Sequence, residues 1–406
     1  MQALKNIRVI DLSHVIAGPT ASYYLAAQGA EVIKIENPRS GDSLRYSGTT
    51  SFEEGISATF AAINAGKKSL AIDLKNSTML EVVYRLVETT DIFIENFKPG
   101  VVKKLGLDFD KLKAINPNLI YVSISGYGQS GNLAKFGAYD HVIQALTGMM
   151  MMGGESDLPL KVGFPVIDSA TGMLAAQAIF AALFQRERCP GSIHLDVSMV
   201  QAAVQLMLPQ VSRVLAQQED MPRVGNRGFS ESPGASTFQC SDGWISIAAN
   251  TPKQFQALCK TLNVQQLLHD SQLIDQRTMT GKHGFVKAVN KENVQNILTE
   301  ACLHFTARHL ESELNSQGVP AASVRSLLTF ISEALNEGLV SLPSEKVTYA
   351  NGTATNFMNG FISNEDSASM HSYAPGLGQH TESLLLQLGL DSNLIANLKE
   401  DGAVYF

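Results

Sequence analysis

A chain of 406 residues exceeds one typical domain and predicts two or three. Its composition, 45% hydrophobic and 17% charged, supports a substantial core and excludes a disordered chain. A net charge of −7 excludes a general nucleic-acid binder, because neutralising phosphates takes a basic surface, yet it leaves room for a local basic pocket.

The opening "MQALKNIRVIDLS" has neither an apolar leader core nor a small-residue cleavage site, and no stretch reaches about 18 uninterrupted apolar residues. A soluble, cytoplasmic protein with no membrane partner is expected. Cys189, Cys240, Cys259 and Cys302 lie far apart and form no C-x-x-C pair. The nine histidines show no metal-ligand spacing, so no metal is expected.

Five β-rich runs follow in order: "IRVIDL", "EVIKIE", "SLAIDL", "DIFIEN" and "LIYVSIS". Between the third and fourth, "NSTMLEVVYRLVETT" places Leu80, Val83, Tyr84 and Val87 at helical spacing behind an Asn/Ser/Thr capping cluster. Such alternation predicts an α/β fold with right-handed crossovers and a mostly parallel sheet, whose ligands bind beyond the carboxyl ends of the strands. "GYGQSG" at 126–131 matches G-x-G-x-x-G, but it follows the fifth strand and opens no helix, so it reads as a Gly-rich loop.

Residues 169–187 and 195–218 read as long helices rich in Ala, Gln, Met and Leu. "RVGNRGFSESPGAS" reads as a loop, "STFQCSDGWISIAAN" as a hairpin, "GVPAASV" as a short strand and "HTESLLLQLGL" as a final helix. These shifts predict a large parallel-sheet domain over 1–221 and a smaller α/β domain over 222–335. A segment over 336–406 is expected to return to the large domain. The Gly/Ser/Pro-rich residues 226–236 suit either a lid or an ordinary loop. "GMMMMGG" at 148–154 suits adaptable packing or a flexible acyl pocket.

"FPVIDSATGMLAAQ" at 164–177 sets Asp168 where an apolar run gives way to a small-residue helix. Two readings compete: an N-cap, or a catalytic carboxylate kept ionised by the helix N-terminus and shielded by Phe164, Pro165, Val166 and Ile167. Taken alone, the fourteen residues favour the cap.

The ordered set "VIDLSHVIAGP", "GAEVIKIENPRSGD", "NAGKKSLAIDLK", "DIFIENFKPGVVKKLGL", "NPNLIYVSISGYGQSG", "AYDHVIQALTG" and "DSATGM" resembles the class III CoA-transferases, as does the closing "GQHTESLLLQLGL". The resemblance spans nearly the whole chain. It implies a large Rossmann-like domain plus a small domain in an interlocked homodimer, with coenzyme A or acyl-CoA as co-substrate and a carboxylic acid as acceptor. It implies that Asp168 is the nucleophile, accompanied by Tyr139 and Asp140. The CoA surface it implies comprises His14, Val15, Ile16 and Ala17, the Ile72–Lys75 stretch, Asn96, Phe97 and Lys104. Asn37 stands where formyl-CoA transferase has an arginine, which leaves Arg39 as the nearby cation. Ile16 replaces that enzyme's glutamine, so formyl-CoA and oxalate are disfavoured.

An aspartate suits acyl transfer because it is ionised at neutral pH without a neighbouring base. Lys75, Lys104 and Arg39 are the cations expected to meet the CoA phosphates. A racemase of the same superfamily has a histidine where this chain has Tyr139, a poor base at neutral pH, so transfer is favoured over racemisation. A CoA-binding protein without turnover is the remaining alternative.

Overall fold

The structure is a computed structural model that describes residues 2–154, 158–228, 230–280, 284–357, 360–364 and 373–406. It divides into two compact units, one of Met1–Met150, Lys161–Met221 and Leu342–Phe406, the other of Met151–Leu160 and Pro222–Ser341. Two boundaries differ from the sequence reading. Residues 151–160, read with the large domain, pack with the second unit, where the Arg223 side chain donates to the Met151 and Leu158 carbonyls and Gly225 N–H donates to Gly154. Residues 336–341 also stay with that unit.

The first unit is built on a seven-stranded sheet in the order Val404–Tyr405, Lys68–Ile72, Glu31–Glu36, Arg8–Asp11, Ile92–Glu95, Ile120–Ser125, Ile193–Ser198. All pairs are parallel except the first. Strand order reverses at Arg8–Asp11, as in Rossmann-type sheets, which puts the crevice at the carboxyl ends of Arg8–Asp11 and Ile92–Glu95. The apolar runs serve both faces, since successive residues of a strand point to opposite sides. In register, Ile33, Ile10, Phe93 and Tyr121 form a row on one face, under the Ser77–Val87 and Thr381–Gln387 helices. Val9, Val32, Ile92 and Val122 face the other way, against the Ala17–Ala26 and Val166–Arg188 helices.

The 23-residue Val166–Arg188 helix is long and apolar enough to cross a bilayer by composition. Its small residues have a packing cause. A Cβ added at Gly172 would stand 2.6 Å from Thr20 Cβ and 2.7 Å from the Ala17 carbonyl oxygen, so only glycine allows the two helices this approach.

The expected helix over 195–218 is instead the Ile193–Ser198 strand followed by two helices, Met199–Leu206 and Leu208–Gln217. Ile193, Leu195 and Val197 alternate with His194 and Asp196 at strand period, while Ser198 and Gln201 form a capping box that starts a new helix. Beyond 336, the Ser344–Tyr349/Gly352–Phe357 hairpin, the Ser392–Glu400 helix and the Val404–Tyr405 strand were not anticipated.

The second unit carries a three-stranded antiparallel sheet, Ala321–Ser323, Trp244–Ala249 and Gly234–Gln239, packed on helices through Phe238, Ile245, Phe255, Leu298 and Leu310. Of the expected lid, Gly234–Ser236 belong to the first of its strands, and Phe229 lies outside the described residues. Ser232 donates to the Ala249 carbonyl at 2.9 Å and Gly228 N–H to Ala235 at 2.8 Å, so the loop is bonded to the sheet strands at these two points.

Candidate active site

At the carboxyl edge of the sheet lies a cavity of about 340 Å³, at the place where Rossmann sheets receive nucleotides. Among the expected CoA residues, His14, Ile72, Lys75 and Phe97 line it. Arg39 sits between the lining residues Asn37 and Gly41, and Lys104 precedes the lining Leu105; both cations are exposed and neither lines the cavity. The His14 and Phe97 rings lie 5.5 Å apart. Burial pulls the His14 imidazole below its ordinary value, with Lys34 adding to this and Asp42 opposing it.

Asn96 is placed differently from the expected clamp on a ligand. Its amide brackets His14, accepting from the His14 N–H at 3.0 Å and donating to the His14 carbonyl at 2.8 Å. It therefore fixes the loop that follows Arg8–Asp11. The next residue, Val15, has φ +67°, a left-handed conformation that is strained for a β-branched side chain. Asp42 holds it there by accepting the Val15 N–H at 3.1 Å. Ile16 and Ala17 then open the Ala17–Ala26 helix, whose first carbonyl abuts Gly172. The loop His14–Ala17 thus runs from the cavity to the helix that carries Asp168.

Beneath this loop is a buried ionic network that the sequence reading missed. Lys34 Nζ lies 3.0 Å from Asp42 and donates to the Ser13 carbonyl at 2.6 Å. Lys67 pairs with Asp11 at 3.2 Å, and Arg45 grips Glu36 through two bonds of 2.8 and 2.6 Å. Burial alone would raise Asp11, but Lys67 and Lys34, with hydrogen bonds from Ser13 and Ser22, hold it well below the usual carboxylate range. The signal was available: "EVIKIE" places a lysine and a glutamate in a strand otherwise buried on both faces.

Asp168 is in the first turn of its helix, and the N-cap position belongs to Pro165, whose side chain accepts nothing. The cap comes from elsewhere in the chain. Asp140 Oδ2 accepts the N–H groups of Ile167 at 2.7 Å and Asp168 at 3.1 Å, the donors that an N-cap side chain would satisfy. So the capping reading of Asp168 gives way: Asp140 does that work.

The expected shielding is also partial. Ile167 is buried, Pro165 and Val166 are half-buried, and Phe164 is 57% exposed. Burial nevertheless raises the Asp168 carboxyl to about 6, and repulsion from Asp140 adds to the rise. The helix N-terminus therefore does not keep this group at the low end of the carboxylate range. Tyr139 immediately precedes the Asp140–Leu146 helix, is 71% exposed and stacks on His141 at 6.4 Å. Its hydroxyl makes no described bond to either aspartate.

Asp168 is thus a half-buried carboxylate raised to about 6, on a helix that packs through Gly172 against Ala17 and Thr20 where the His14–Ala17 loop ends. A model of CoA-transferase family III matches residues 4–381. The succinate–glutarate CoA-transferase of Agrobacterium fabrum is 34% identical over 394 residues, covering 95% of each chain. The mouse succinyl-CoA:glutarate CoA-transferase is 30% identical across 100% of this chain and 91% of its own. A CAIB/BAIF family protein from Brucella suis superposes with a TM-score of 0.82 at 29% identity, covering 95% of this chain and 99% of that one. With the match running through both units, the chain belongs to CoA-transferase family III.

Proposed function

We propose that this chain moves CoA from an acyl-CoA to a free carboxylic acid, with Asp168 as the acyl acceptor. The observation that carries this reading is the placement of Asp168: first turn of its helix, half-buried, uncapped by its own side chain, with a carboxyl raised to about 6. It is ionised at neutral pH and more basic than a solvated carboxylate.

One carboxylate oxygen attacks the thioester carbonyl, the C–S bond breaks and CoA leaves as the thiolate, giving a mixed anhydride. The thiolate attacks the aspartyl carbonyl of that anhydride, releasing the donor acid and forming an aspartyl-CoA thioester. The acceptor carboxylate attacks this thioester and expels the thiolate again. Finally the thiolate attacks the new acyl carbon, which yields the product thioester and restores the Asp168 carboxylate. No electrons are gained or lost, and CoA is the only group carried over.

The cavity at the sheet edge is the place we assign to the nucleotide end of CoA, with Lys75 and its exposed neighbours Arg39 and Lys104 toward the phosphates and Phe97 offering an aromatic face. Relatives named for succinate and glutarate support a dicarboxylic donor and acceptor. We assign the chain to a homodimer. Met173, Phe184, Leu206, Leu208 and Leu215, on helices of the first unit, are all at least 48% exposed, an apolar display that association would cover.

The test is trapping. Incubated with succinyl-CoA and hydroxylamine, the protein should acquire a hydroxamate on the peptide containing Asp168, detected by mass spectrometry. Asp168→Ala should lose transfer to glutarate and keep its affinity for CoA. Retained turnover in that variant removes Asp168 from the mechanism.

A further inference from the structure

Gln144 is fully buried, yet its amide is spent on two contacts that converge on the Asp168 turn. Its Nε2 donates to Asp140 Oδ1 at 2.5 Å, and its Oε1 accepts the Val162 N–H at 2.9 Å. It therefore joins the Asp140–Leu146 helix to the segment leading into Val166–Arg188. Both oxygens of Asp140 are then engaged, Oδ1 by Gln144 and Oδ2 by the Ile167 and Asp168 N–H groups. We propose that Gln144, through Asp140, is a positioning residue that sets the orientation and basicity of the Asp168 carboxylate; this rests on the nucleophile reading above.

A local Ser or Thr at position 165 would satisfy the same N–H groups with an uncharged side chain. Drawing the cap from Asp140 does something a neutral cap could not, because it occupies the helix N-terminus with a second negative charge beside the nucleophile. The helix donors are withheld from the Asp168 side chain, and its carboxylate stays the stronger base. The bond from Asp168 N–H also ties its backbone to Asp140, so loosening Asp140 displaces the nucleophile itself. A glutamine suits the task. Its N–H donates a hydrogen bond to the carboxylate and its carbonyl oxygen accepts one from a backbone N–H, which neither an ionised glutamate nor a hydrocarbon of that shape can do.

Asp140 is the charge that faces Asp168. Of the elements packed on the Asp168 helix, Asp140–Leu146 also carries His141, which stacks on Tyr139, while Ala17–Ala26 and Met199–Leu206 carry no acid or base apart from two tyrosines. Ile120–Ser125 adds one further tyrosine. Ile193–Ser198 carries His194 and Asp196, and the latter accepts from Gln129 N–H.

The experiment is single-turnover acylation by succinyl-CoA, read as CoA thiol release between pH 5 and 8, with the steady-state KM for succinyl-CoA measured alongside. The wild type should show an acid limb with its midpoint near 6. Gln144→Met and Gln144→Glu should lower the acylation rate about 100-fold, the scale of loss when a supporting contact frees a reacting group, and should move the acid-limb midpoint, with KM changed less than about twofold. Asp140→Asn, which removes the charge, should move the midpoint lower.

A wild-type rate and midpoint in the Gln144 variants would overturn the proposal. So would a lowered melting temperature with an unmoved midpoint, the mark of a merely structural residue. Should the Gln144 variants fail to fold, Asp140→Asn decides alone, and an unmoved midpoint there overturns it. Acyl-enzyme formation by Asp168→Ala would instead refute the nucleophile reading, which keeps the two failures apart.

Discussion

Replacing Lys34 with methionine is a severe test of the ionic network under the His14–Ala17 loop. Three acids, Asp11, Glu36 and Asp42, share that interior with three bases, Lys34, Lys67 and Arg45, and each of the six is at most 5% exposed. The cluster is neutral as a whole. Lys34→Met keeps the volume of the side chain but leaves one acid uncompensated. It also removes the 3.0 Å pair to Asp42 and the bond to the Ser13 carbonyl. Breaking one partner out of a buried pair costs about 3–5 kcal/mol. Against a stability of about 5–15 kcal/mol, that is a large fraction.

Urea unfolding followed by far-ultraviolet circular dichroism should show this loss. The single tryptophan, Trp244, lies in the other unit and serves as an internal comparison. Adding Asp42→Asn restores neutrality, so the double variant should be more stable than the sum of the single losses by about 0.5–3 kcal/mol. Because Asp42 also pins strained Val15, CoA affinity should fall in both single variants. A loss below about 1 kcal/mol for Lys34→Met, or strict additivity in the cycle, would refute this account of the network.

Asp168→Asn should abolish transfer yet stabilise the fold at pH 7 by about 1–3 kcal/mol, measured by the same urea titration. The sign follows from the raised carboxyl: the folded state binds the extra proton between the ordinary range and about 6, so stability falls as pH rises through that window. The reverse holds for Asp11, Glu36 and Asp42, whose folded values are depressed. Their contribution is complete above the ordinary carboxylate range and should be lost as pH falls below about 4, seen as cooperative acid unfolding. Gly172→Ala should cost about 1–3 kcal/mol in melting experiments, since its methyl would collide with Thr20 and the Ala17 carbonyl.

The parallel sheet could be read from the sequence because each of its first five strands announces itself locally. "DIFIEN" and its fellows are short, β-branched and bounded by polar residues, and Asn76 caps the intervening helix through the Thr78 and Met79 N–H groups. Ile193–Ser198 escaped because its alternation of apolar and polar residues lies between two Ala-rich helices. At the site, Asp168 could be placed near a helix start from fourteen residues. Its cap could not, because Asp140 is 28 positions away and local spacing carries no trace of a contact that folding creates. Likewise, which acid pairs with which base in the buried cluster depends on sheet order, as with Lys67 and Asp11, 56 residues apart.

The edge of the large sheet has a consequence for how the chain is made. Lys68–Ile72 is covered on its outer side by Val404–Tyr405, by His380, whose N–H donates to the Ser69 carbonyl and whose Nδ1 accepts the Ser69 N–H, and by Thr381 Oγ1, which accepts the Ala71 N–H. These pieces leave the ribosome about 300 residues after the strand they protect, so at about 5–20 residues per second the edge waits roughly 15–60 s for its cover. The second unit, encoded in between, is synthesised in full during that wait. An unpaired strand edge exposed for so long is a standing invitation to aggregate, and a nascent chain of this design has reason to depend on chaperones during its synthesis.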